Sequence, residues 1–235
     1  MEIVSPICFI YSYATSPLGG SSLSGRQHIL ALAYLIHYTN RAIISPLITP
    51  SRSKASIIVP LAGVTFNIMN GNLMGAYIAS PQAQMFLIST STTMFTTGLV
   101  LWAAGFVGNI QHDMILMNIR RNPSKKNDDA PSDKPRYAIP FGALFKYVSF
   151  PNYFSEWVEW LGYAVAASPL PAVAELSTII GPTSSFFPSL TPPWIFLFNE
   201  VMVMFPRAYR GHRWYKRIFG DQFPTDRKIV VPFIL

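Results

Sequence analysis

YAIPFGALFKYVSFPNYFSEWVEWLGYAVAA, residues 137–167, sets carboxylates, an asparagine and several aromatic rings where a lipid-buried helix would carry plain hydrocarbon. Its first half is turn chemistry. Pro140, Gly142 and the pair Pro151-Asn152 forbid one continuous helix and predict a chain that dips along a membrane face before turning in. From Ser155 onward the stretch reads as a helix. Glu156 and Glu159, three apart, share a face, and Trp157, Trp160, Leu161 and Tyr163 cover much of the remainder at interfacial depth. Charged groups at that depth are costly and mark function. The plainer reading is a membrane helix whose acidic end sits among headgroups, and the stretch alone leaves both open.

The rest of the chain supplies the membrane. Of 235 residues 50% are hydrophobic and only 12% charged, with a mean hydropathy of +0.30, too apolar for an ordinary soluble domain. The expected fold class is all-α, a polytopic transmembrane helical bundle of about six spans. A net charge of +7 could suggest nucleic acid. The basic residues fall in clusters between apolar segments, however, as cytoplasmic loops require, so no nucleic-acid partner is expected. A single cysteine, Cys8, excludes an internal disulfide, and His28, His37, His112 and His212 show no ligand spacing. No metal is expected, and redox chemistry would have to come from a bound cofactor. There is no internal repeat.

Apolar segments at 3–14, 28–44, 57–78, 85–107 and 194–205, with the helix of the opening stretch, make the six spans. Asn67, Asn70 and Asn72 inside the third read as interhelical hydrogen-bonding groups. NIQHDMILMNIRR, residues 109–121, has a helical period that nearly aligns Asn109, Asp113 and Arg120. An exposed polar loop follows to Arg136. Residues 168–193 carry no Lys or Arg and are broken by prolines, and a basic tail begins at Arg207. Lys and Arg are rich after Arg41 (Arg52, Lys54), from Arg120 to Arg136 and after Arg207, and poor near Ser80 and Pro182. That alternation turns the basic loops and the C-terminus to the cytosol. Tyr38 and Arg41, 109–120, 152–159 and 212–227 then lie at the cytosolic ends of their helices and are expected to converge on one leaflet. Glu2 joins them if the first segment starts on that side.

Taken together, these residues make the chain resemble the steroid 5α-reductase family, in particular its C-terminal reductase domain. The motifs are HYTNR at 37–41, NIQHD at 109–113, YAIPFGALFKYVS with PNYFSEWVEWLGYA through Ala164, and HRWYKRIFGDQFPTDRKIVVPFIL at 212–235. The resemblance implies one membrane-embedded domain over residues 1–235, lacking the first of the family's seven helices. It also implies a monomer, multi-pass in the endoplasmic reticulum membrane, surrounded by membrane lipids. Such enzymes use NADPH from the cytosolic side to reduce an activated carbon–carbon double bond in a lipid such as a 3-oxo-Δ4 steroid. Carried over, the catalytic pair is Tyr38 of HYTNR and Glu2 of MEIVSPICF. The cofactor contacts fall on Asn109, Asp113, Arg120, Asn152, Glu156, His212, Tyr215 and Arg227, with Arg41 and Arg52 as phosphate or ribose partners. Ala138 stands where the steroid enzymes often carry arginine, and Phe141-Gly142-Ala143 replaces their QGG or GGG.

The chemistry of these roles can be argued without the resemblance. Hydride addition to the β-carbon of an enone places charge on the carbonyl oxygen, so catalysis needs donors aimed there in a water-poor site. A phenol is one, and a carboxyl group is another while burial keeps it protonated. An arginine fork pairs with two phosphate oxygens at once. No GxGxxG follows a strand, so the cofactor site is not a Rossmann site. Plainer readings stand beside these: Tyr38 as a belt aromatic, Asp113 as a helix-end charge in water, His212 facing headgroups, and Arg121 as an orientation signal only. Two other activities fit the fold, reduction of a trans-2-enoyl thioester in fatty-acid elongation or of a polyprenol. A reading from another class is an inactive, truncated membrane protein.

Overall fold

The computed structural model describes residues 1–16, 22–49, 56–121, 138–171 and 190–235, and among them there is no β-strand, only helices and one isolated parallel bridge. The expected all-α bundle is what the chain forms. Its helices are α1 (Val4–Ala14), α2 (Gly25–Thr39), α3 (Ser45–Ile48), α4 (Ile58–Ile78), α5 (Pro81–Ser89), α6 (Thr92–Arg121), α7 (Pro151–Ala167) and α8 (Pro192–Phe219). Large apolar side chains such as Ile7, Ile10, Leu61, Met85, Val100, Val107 and Met202 point outward from these helices. An exterior of that kind suits lipid. Among the described residues, α6 is the helix both long and apolar enough to cross a membrane by length and composition.

Two compact units share these helices. The first holds α1 to α5, α6 through Trp102, α7 from Trp160, and α8 through Asn199. Here α1 lies directly on α4, because Gly71 and Gly75 leave no side chain between the α4 backbone and the carbonyls of Ser5 and Phe9. Gly98 of α6 meets Gly162 and Ala166 of α7 in the same way. The core is Phe9, Leu30, Tyr34, Met74, Ile78, Trp160 and Tyr163, all nearly inaccessible. Ser24 opens α2 with a capping box to Gln27, whose buried amide also donates to the Ile78 carbonyl at 2.7 Å. α2 runs into a π-helical turn, Asn40–Ile44, before α3. Pro46 offers no N–H to a carbonyl one turn back, which accounts for the widened turn.

The predicted span 85–107 is in fact broken. α5 stops at Ser89 and α6 starts afresh at Thr92, with Ser91 Oγ accepting from the Met94 N–H at 3.1 Å. The Ser/Thr run at 89–93 competes for its own backbone and caps a new helix instead of continuing the old one. Arg26 seals the break by donating to the carbonyls of Leu87 (2.6 Å) and Thr90 (2.7 Å) while stacking on Phe95.

The second unit holds α6 from Ala103, the 3₁₀ turn Ala143–Lys146, α7 through Glu159, α8 from Glu200, and the tail to Leu235. α7 begins at Pro151, earlier than the predicted Ser155, because proline suits the first helical position, where no N–H is required. α8 continues through Pro206 to Phe219, so much of the predicted basic tail is helical. Gly105 and Gly108 bring α6 against the backbone of Glu159 and the side chain of Ser155. The tail returns to pair in parallel, Val148 with Lys228: Lys228 N–H donates to the Tyr147 carbonyl at 2.8 Å and Ser149 N–H to that of Lys228 at 2.9 Å.

Candidate functional site

In the first unit the polar centre is a cluster of phenols. Tyr34 and Tyr38 lie one turn apart on α2, both buried, with ring centroids 4.7 Å apart. The Asn70 amide of α4 donates to Tyr34 Oη at 3.0 Å and to Tyr38 Oη at 2.9 Å. Ser5 Oγ of α1 lies 2.7 Å from Tyr34 Oη. Trp160 closes the cluster, 4.7 Å from the His37 ring. Tyr38, 4% exposed, is therefore buried in protein and not an interfacial belt residue. Glu2 and Arg41 meet as an ion pair at 3.6 Å, each about one-third exposed, beside a shallow hollow of about 350 Å³ with Ala42, Ser45 and Pro46. The structure thus joins an expected catalytic acid to an expected phosphate partner. Arg52 lies outside the described residues.

In the second unit α6 and α7 build a buried ladder of amides and carboxylates. Asn109 Nδ2 donates to the Asn152 carbonyl (3.1 Å) and to Glu156 Oε2 (3.0 Å), and Asn152 Nδ2 donates to Asp113 Oδ1 (3.0 Å). Glu156 and Glu159 are both almost wholly buried, so the opening stretch does not end as an acidic cap among headgroups. His212 of α8 is buried as well, with Nδ1 2.7 Å from Ser149 Oγ and its ring edge-on to Phe223. Burial, with Lys216 and Arg227 nearby, holds its imidazole down at about 4, so it is neutral at pH 7. Tyr215 stacks between Phe219 and Phe223. Arg227 is 3% exposed, its guanidinium 5.4 Å from the Phe141 ring centroid and 5.3 Å from that of Phe223. Desolvation lowers its pKa, partly opposed by Tyr215. Arg120 stands exposed on the last turn of α6.

Asn70 and His112 carry structural weight outside the expected site. Asn70 crosses between helices, as expected, and so does Asn72, whose Oδ1 accepts from Ser12 Oγ of α1 at 2.6 Å while its amide donates back to the Ile68 carbonyl; Asn67 donates to the Gly63 carbonyl of its own helix at 2.8 Å. His112 of NIQHD ties the loop to the helices: Leu144 N–H donates to its Nε2, and Ser155 Oγ lies 3.3 Å from its Nδ1. Among the described residues no three His, Cys, Asp or Glu side chains gather as metal ligands would.

Three buried polar atoms bear on a cofactor. Among the described residues, Arg227 Nε and Nη1 and Asn152 Oδ1 find no hydrogen-bond partner. Such atoms normally find one. A dinucleotide supplies what they lack, phosphate oxygens for the guanidinium and a hydroxyl or amide donor for the asparagine, so the donor set fits one.

A helical bundle with an apolar exterior, buried phenols and a buried arginine fits an integral membrane protein in class. A family model described as 3-oxo-5-alpha-steroid 4-dehydrogenase matches residues 53–180 and 185–235. The chain is 35% identical over 253 aligned residues to an uncharacterized protein of Schizosaccharomyces pombe, covering all of this chain and 82% of the relative. It is 32% identical to the 3-oxo-5-alpha-steroid 4-dehydrogenase 1 of Mus musculus (89% and 69% covered) and 27% identical to a steroid 5-alpha-reductase of Arabidopsis thaliana (93% and 74% covered). The chain belongs to the 3-oxo-5-alpha-steroid 4-dehydrogenase family, and it is an oxidoreductase.

Proposed function

We propose that the protein reduces the enone double bond of a steroid or sterol-like lipid with NADPH, as a multi-pass monomer of the endoplasmic reticulum membrane whose C-terminus faces the cytosol. NADPH, when bound, supplies the hydride for the β-carbon. The observation that carries the reading beyond family membership is the buried Arg227 guanidinium with two unanswered donors, a fit for an anionic cofactor and costly otherwise. Arg227 would hold a phosphate between the Phe141 and Phe223 faces. Asn152 would take a donor of the cofactor on Oδ1, with Asn109, Asp113 and Glu156 fixing its orientation. His212 and Tyr215 would wall the same site as a neutral imidazole and an aromatic face. Arg41, Arg52 and Arg120 remain further proposed cofactor contacts on the motif resemblance alone.

Tyr38 is the donor to the substrate's carbonyl oxygen, where negative charge develops. Glu2 is the second donor. It lies 3.6 Å from the Arg41 guanidinium, at the hollow with Ala42, Ser45 and Pro46. Orientation follows from the alternation of basic and neutral loops.

Microsomes containing the chain, given NADPH and either progesterone or a trans-2-enoyl thioester, provide the test. Consumption of NADPH with progesterone alone is the expected result. Turnover of the thioester alone would move the protein to fatty-acid elongation, and turnover of neither would end the enzymatic reading.

A further inference from the structure

Asn70 has no part in the roles assigned so far, yet it is the group on which the phenol cluster turns. The amide is 6% exposed in the middle of α4, and both of its N–H groups go to phenol oxygens of α2, Tyr34 at 3.0 Å and Tyr38 at 2.9 Å. An amide nitrogen can only donate. The Tyr38 oxygen is therefore an acceptor in that bond, and its own O–H, which Tyr34 engages here, stays a donor that a substrate carbonyl can take over. A donor to a carbonyl oxygen must be in that state. With the amide turned over, its oxygen would compete for the phenol proton. The other N–H of the amide goes to Tyr34 Oη, which in turn lies 2.7 Å from Ser5 Oγ. Gly71, the next residue, lets α4 sit against the Ser5 carbonyl, which brings Asn70 into reach of α2.

We infer that Asn70 is a positioning residue of the reduction, donating to Tyr38 Oη so that the phenol O–H is aimed at the substrate's carbonyl oxygen and is strengthened as a donor. The bond draws electron density from the phenol oxygen, so its own hydrogen bond to the substrate strengthens as charge develops. This rests on Tyr38 having the role proposed above, and the experiment separates the two.

The full chain in microsomes, with NADPH and progesterone as the probe, is compared with Tyr38→Phe, Asn70→Leu, Asn70→Asp and the double variant Tyr38→Phe/Asn70→Leu. Asn70→Leu is expected to lower kcat about tenfold to hundredfold, in the range of a lost transition-state donor, with the KM for NADPH unchanged. In the Tyr38→Phe background the same change should cost little more, because no hydroxyl remains to be positioned. Asn70→Asp should recover activity as pH falls, since a protonated carboxyl regains the donor that the carboxylate lacks. Unchanged kcat in Asn70→Leu, or equal losses in both backgrounds, would overturn the inference while an impaired Tyr38→Phe still upholds the proposed reaction. An unimpaired Tyr38→Phe would overturn both. If Asn70→Leu does not accumulate in the membrane, Asn70→Asp decides alone, and a pH profile parallel to that of the parent would sink the idea.

Discussion

In the first unit Ser5, Tyr34, Asn70 and Tyr38 answer one another's hydrogen-bonding groups, whereas in the second Asn152 and Arg227 are buried with polar atoms that no group among the described residues answers. Both clusters sit where an unpaired polar group costs most. A closed network of phenols fixes geometry before any ligand arrives, which suits groups that must meet a transition state. An open set of donors and acceptors stores a desolvation cost that a polar ligand relieves, which suits cofactor binding. The contrast separates rate from affinity, and each prediction below tries to break that separation.

The largest effect belongs to the closed cluster. Tyr38→Phe should lower kcat by about 10²–10³ and leave the KM for NADPH unchanged, as steady-state kinetics would show. A change in both would mean that the phenol cluster also binds cofactor. Arg227→Met should do the reverse, raising the KM for NADPH on the order of tenfold to hundredfold through loss of charge-assisted hydrogen bonds. Thermal stability without cofactor should not fall, because a buried, unpaired charge has been replaced by hydrocarbon. A sharp loss of stability would show that stacking on Phe141 and Phe223 matters more than the open donors.

The pH dependence comes next. His212 takes a proton only below about 4 when folded and at its ordinary 6.5 when unfolded. Between those values the unfolded chain binds the proton, so stability is full above about 6.5 and declines as pH falls towards 4, by on the order of 2 kcal/mol. Unfolding followed from pH 7.5 to 4 should lose that slope in His212→Asn. The smallest effect lies in the loop that departs from the family pattern. Ala143 has φ 44°, a left-handed conformation that costs a residue with a Cβ, next to Gly142 at φ 101°. Ala143→Gly should therefore stabilise the second unit by about 1 kcal/mol or less, measurable as a modest rise in Tm.

Continuous apolar runs bounded by polar or turn residues made α1 and α4 legible almost to the residue. The break between α5 and α6 was harder to see. Hydropathy averages over it, and the decisive signal is the capping chemistry of Ser91 and the reach of Arg26, a residue sixty positions away in sequence. Of the expected cofactor contacts, Asn109, Asp113, Asn152 and Glu156 are joined in one hydrogen-bonded set. Asn70 was legible as one of three interhelical amides, but not as the one that meets the phenols: nothing local tells which of Asn67, Asn70 and Asn72 reaches which helix. The burial of Arg227 was equally hidden, since a basic tail ordinarily reads as solvated.

The pairing of Val148 with Lys228 has a thermodynamic consequence for Arg227, the residue just before it. A long flexible side chain anchored only at a free tail would surrender backbone and rotamer freedom each time it gripped an anion. Here the backbone is already tied to the turn ahead of α7, and the guanidinium is already flanked by two rings, so most of that ordering is complete at folding. Release of an anion from such a clamp should leave it poised for the next one, and repeated exchange would not require the tail to be reassembled on each turnover.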